Sequence, residues 1–119
     1  MNIEINKITD AGSLEKERII FNVLLDDELG FYGAFKTKKT GPTAVSSGIK
    51  ATYWFPDRQV KKGDLVVLYS KSGVNTERNN KDGTTSHFFY WGMSDATWND
   101  SEDSVVLFKI DEWKYKSVS

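Results

Sequence analysis

The chain has 119 residues, 13% of them aromatic, no cysteine, and a formal net charge of −1. That length gives one domain with room for one core, spanning residues 1–119, and the aromatic content excludes a disordered chain. Absent cysteine excludes disulfides and thiolate metal sites, and no apolar run approaches the ~20 residues that a membrane helix requires.

The elements follow in chain order. Ile3 and Ile5 share a face in the first segment, against Glu4. The N-terminal Met1 to Lys7 lacks a basic-then-apolar leader pattern, so the expected location is the cytoplasm. Residues 17–25 place Ile19, Phe21, Val23 and Leu25 on one face and Ile20 and Leu24 on the other, a strand buried mainly on one side. Asp26-Asp27-Glu28 breaks it with charge. Residues 31–36 predict a third strand, with Phe31 and Phe35 alternating with Tyr32 and Ala34. Thr37 to Gly48 reads as a long loop. Ile49, Ala51, Tyr53 and Phe55 alternate with Lys50, Thr52 and Trp54 until Pro56, which cannot donate to a ladder. Lys61-Lys62-Gly63-Asp64 is a turn. Leu65 to Tyr69 is a strongly apolar strand, and residues 70–83 form a second polar loop. His87 to Trp91 is a strand, Asp95 to Asp103 a loop, and Val105 to Ile110 the seventh strand. Trp113 to Val118 suggests an eighth, with Trp113 and Tyr115 on one face. No segment of about ten residues shows capped helical periodicity. The expected fold is all-β, a sandwich of about seven to nine strands, with a barrel as the alternative.

The small net charge hides a partition. Residues 1–30 sum to −4, residues 31–71 to +6 and residues 72–119 to −3. A basic middle suits an anionic partner, because phosphate neutralisation drives nonspecific nucleic-acid binding. Lysines on strand edges also block unwanted pairing, which needs no ligand. The candidate partner-binding residues are Lys36, Lys38, Lys39, Lys50, Trp54 and Arg58, which combine charge, loop position and an aromatic ring beside lysine. Trp54, Trp113 and Tyr115 are also candidates for stacking a sugar or base.

Nothing in the sequence points to catalysis. His87 is the single histidine and has no orienting partner adjacent in sequence. No Gly-x-Ser-x-Gly or phosphate loop occurs. The acidic runs 26–28 and 99–103 lack the spacing of a calcium loop. The expectation is a non-enzyme with no cofactor or metal.

Several pieces, in order, resemble the lamin-tail domain family, especially its short bacterial members. Glu17-Arg18-Ile19-Ile20-Phe21-Asn22 is similar to its early strand. Phe55-Pro56 with Val60 to Val67 is similar to its Phe-Pro, turn and strand segment. Gly73-Val74-Asn75-Thr76, Trp91-Gly92, Trp98-Asn99-Asp100 and Asp103 to Leu107 are similar to its closing pattern. The chain departs from the pattern at Leu29 to Tyr32, where the family carries Gly-Trp, and at Asp111-Glu112-Trp113, where it carries glycine. The resemblance implies an immunoglobulin-like sandwich, with Trp91 and Trp98 plugging one end. It also implies an interaction module. The expected function is therefore binding of a protein partner. The alternatives are nucleic-acid binding by the basic segment 36–62 and carbohydrate binding by exposed aromatics.

Overall fold

The computed structural model describes residues 1–45 and 51–119. Its regular structure is almost all strand: β1 (Ile3–Thr9), β2 (Arg18–Val23), β3 (Asp27–Glu28), a 3-10 turn (Leu29–Phe31), β4 (Tyr32–Gly41), β5 (Ala44–Val45), β6 (Ala51–Trp54), β7 (Gln59–Val60), β8 (Leu65–Tyr69), β9 (Thr76–Asn79), β10 (Thr85–Tyr90) and β11 (Asp103–Lys109). One sheet has five strands in the order β1-β2-β8-β10-β9, and the second is built on β11-β4-β6, with β5 folding back on the end of β4. The pairings are antiparallel except β8 with β10, which run parallel. A short ribbon joins β3 to β7.

The alternation read in the sequence explains why the two sheets pack. Ile19, Phe21 and Val23 of β2, Val66 and Leu68 of β8 and Phe89 of β10 turn inward and are buried. Tyr32 and Ala34 of β4 meet them from the second sheet, with Val105 and Leu107 of β11 half-buried beside them. Phe55 fixes the centre. Its ring lies edge-on to Phe21, Tyr53 and Phe89, with centroids 5.8, 5.1 and 5.3 Å away. Edge-to-face contacts of this kind are the favoured arrangement of aromatic quadrupoles. Trp98 is buried at one end of the core and touches Trp91, which also contacts Tyr53.

The loop that carries Trp98 is held by a carboxylate. Glu17 is fully buried, and it accepts hydrogen bonds from the backbone N–H groups of Gly12, Thr97 and Trp98 and from the Ser70 hydroxyl. A buried charge is tolerated only when it is fully hydrogen-bonded, and here that need ties three loops together.

Three expectations change. The segment 37–45, expected to be loop, is the continuation of β4 and the β5 return; Ser46-Ser47-Gly48, Ile49 and Lys50 lie outside the described residues. Residues 76–79, inside the second expected loop, form β9, an exposed polar strand on the sheet edge. Trp113 to Val118 is not a strand: the segment is irregular and exposed, and its aromatics pack outward instead of closing the core. Among the described residues no helix is long and apolar enough to cross a membrane.

Candidate functional site

The five described candidate residues do not form one patch. Lys36 donates to the Thr97 carbonyl at 2.7 Å. Lys38 pairs with Asp103 at 2.7 Å and with Asp100 at 3.3 Å, and the Asp103 oxygen also lies 3.7 Å from the Lys36 ammonium. The Asp103 contact, with Asp100 behind it, holds the Lys38 ammonium above its usual range. Burial pushes the Asp103 carboxyl up, but Lys38 and the backbone N–H groups of the turn outweigh it and leave the group below the usual carboxylate range. Lys36 and Lys38 sit in register with the core side of the sheet, whereas Trp54 pairs with Gly33 on the outer side. Lys39 is exposed at the far end of β4, roughly 20 Å along the strand from Gly33. Lys50 lies outside the described residues. The Arg58 guanidinium covers the Phe89 ring at 4.8 Å and donates to the Thr76 carbonyl.

Trp54 is the exception. Its indole is 47% exposed, and Trp113 of the C-terminal segment, 55% exposed, meets it at 5.1 Å with the two rings nearly perpendicular. Together they form a corner in a groove of about 530 Å³ that is also lined by Phe31, Glu28, Asp57 and Gln59. Local structure accounts for each member. β6 presents Trp54 on the outer face, because Tyr53 and Phe55 take the inner one. The 3-10 turn swings Phe31 outward, and its Gly30 carbonyl accepts the Trp54 Nε1–H at 2.8 Å. Glu28 caps that turn, accepting from the backbone N–H groups of Gly30 and Arg58 and from the Gln59 amide. The Asp57 carboxylate lies against Gly30, where a Cβ would sit 2.1 Å from its Oδ1, so glycine is required for this close approach.

His87 is buried and bonded to Asp64 at 2.9 Å through Nε2, with Glu77 at 3.5 Å from Nδ1. Burial raises the Asp64 carboxyl, but His87 and the backbone N–H groups of Lys61 and Thr85 hold it below its usual range. His87 thus has the orienting carboxylate that its sequence neighbours lack, but it lines neither the Trp54 groove nor the smaller depression beside Lys36. Among the described residues no group of three histidine and carboxylate side chains is arranged to hold a metal.

Sequence reasoning named Trp54 alone and Trp113 together with Tyr115. It did not reveal that Trp54 and Trp113 meet, or that Glu28 and Asp57 flank them, because the pieces come from distant segments. Compared with models of protein families and with curated proteins, the chain finds no match.

Proposed function

We propose that the chain is a non-enzymatic interaction module that binds a protein partner through the Trp54–Trp113 groove, in a domain of the lamin-tail, immunoglobulin-like type. The observation that carries the reading is the exposed pair of tryptophans in a pre-shaped groove. Tryptophan is enriched at interface hot spots, and large exposed apolar groups beside polar ones mark binding surfaces. Support for the domain type lies in the two packed sheets and in the closing segment, whose Trp98 is a core plug. The basic segment is the weaker route, because Lys36 and Lys38 already face carboxylates and the groove itself carries two more. Carbohydrate binding keeps one observation in its favour: the Trp54, Trp113 and Tyr115 rings are all exposed.

The test compares affinity capture from native lysate by the wild-type chain and by Trp54→Ala and Trp113→Ala. The reading expects a protein that is retained by the wild type and lost with both variants, each shown to be folded by circular dichroism. Identical capture by all three proteins would sink it.

A further inference from the structure

We infer that the occupant of the groove is a basic side chain, arginine or lysine, presented by the protein partner. This rests on the proposed protein-binding role and names the chemistry that the groove selects. Five aromatic side-chain contacts with cations occur among the described residues: Arg18 and Lys71 over Tyr69, Arg58 over Phe89, Arg78 over Phe88, and Lys109 over Tyr32. Two of these rings, Tyr69 and Phe88, lie on the outer face of the five-stranded sheet and carry cations there, while Phe89 and Tyr32 belong to the core. Trp54, Trp113 and Phe31 are more exposed, and among the described residues no cation covers them.

The polar lining matches this vacancy in charge. It contributes two carboxylates, Glu28 and Asp57, and no basic side chain. Glu28 is turned inward and fixed by its three donors. Asp57 is exposed, and among the described residues its carboxylate has no hydrogen-bond or ion-pair partner. The negative ring faces and these carboxylates reinforce one another as a cation site. An anion is repelled by the same groups. A sugar hydroxyl can also donate to these carboxylates, so sugars are tested beside the cations. The indole of Trp54 is held by its bond to Gly30, so a planar guanidinium or an ammonium meets one wall already in place.

The test follows the two indole N–H signals by NMR in the full chain. The probes are blocked Gly-Gly-X-Gly-Gly peptides with X as arginine, lysine, the neutral isostere citrulline, or glutamate; cellohexaose and maltohexaose serve as sugars. Arginine and lysine peptides are expected to shift both signals saturably. Citrulline should bind about tenfold more weakly, and glutamate should not bind. Asp57→Asn, a surface change, should weaken the arginine peptide about fivefold, with the other resonances unmoved. Equal binding of citrulline and arginine, no effect of Asp57→Asn, a stronger response to either sugar, or no response to any peptide would overturn the inference. If capture of a partner still depends on Trp54 in that event, the protein-binding role stands and only the charge assignment falls; if it does not, both fall.

Discussion

Glu17 illustrates how a single side chain can organise a loop-rich end of a sandwich. Its carboxylate replaces water for four donors, so removing it strands the N–H groups of Thr97 and Trp98 in a dry environment, while that of the exposed Gly12 can turn to water. Buried donors without partners cost about 1–3 kcal/mol each, and neighbouring losses do not add fully. Glu17→Ala should therefore lower the unfolding free energy by roughly 3–5 kcal/mol in a urea titration. Glu17→Gln should cost less, because it keeps one acceptor oxygen but turns an NH₂ toward a donor. Equal and small losses in both variants would show that the loops find water instead. The groove has its own residue-scale requirement at Gly33, which pairs with Trp54 on one side and Phe108 on the other. The Phe108 ring occupies the space of the missing Cβ, 2.3 Å from its ideal position, and stacks on Phe35.

At the scale of elements, the C-terminal segment after β11 is attached by little more than side chains. Ile110 N–H bonds the Phe31 carbonyl at 2.6 Å, and beyond it the ring contacts among the described residues are Trp113 on Trp54 and Tyr115 beside Trp113. Ending the chain at Ile110 should change the unfolding free energy by less than about 1 kcal/mol, since no strand pairing is lost. The emission of Trp54 should shift to the red as its neighbour leaves. A large loss of stability would mean that the segment is part of the core. The same elements mark where the sequence was legible. β2 could be read because one buried face imposes an alternation on Ile19, Phe21 and Val23, and β8 because Val66, Val67 and Leu68 form a continuous apolar run that is buried on both faces. β9 could not, because Thr76 to Asn79 is polar on both faces and exists by pairing with β10. β4 runs on through Thr37 and Lys38 for the same reason, held by β11. Trp113 to Val118 has the alternation of a strand but lacks a partner strand among the described residues, and Trp113 lines the groove instead. Of the groove, the rings were readable and the carboxylates were not: Glu28 and Asp57 look like turn residues until the fold brings them beside Trp54.

For the molecule as a whole, pH stability is set from both ends by a few shared contacts. Asp27 accepts from the Tyr32 hydroxyl at 2.6 Å and from Asn2, with Lys109 at 3.4 Å. Burial raises the Asp27 carboxyl, but the Tyr32 hydroxyl, the Glu28 N–H and Lys109 hold it below 3.8, and Asp64 and Asp103 are depressed likewise. A carboxyl whose folded pKa lies below its unfolded value stabilises the fold above that unfolded value, and the gain is lost as pH falls through the folded one. The fold should therefore weaken below about pH 4. Tyr32 acts in the opposite sense. Burial, then its bond to Asp27 and the nearby negative charge, push its hydroxyl from 10.0 to about 12. Its contribution is complete below pH 10.0 and disappears as pH rises toward about 12. One hydrogen bond thus takes part in both limits. Tyr32→Phe should cost about 1–2 kcal/mol at pH 7, because a charged acceptor loses its donor. It should also flatten the decline in stability above pH 10.0, where the wild type alone has this hydroxyl to ionise. Urea titrations at about pH 3, 7, 9 and 11 measure both arms. Asp64→Asn separates them: it should blunt the acid arm and leave the alkaline arm as in the wild type. An alkaline decline of the same steepness in Tyr32→Phe would place the sensitivity elsewhere, in the loss of lysine charge from the Lys38 and Lys109 pairs.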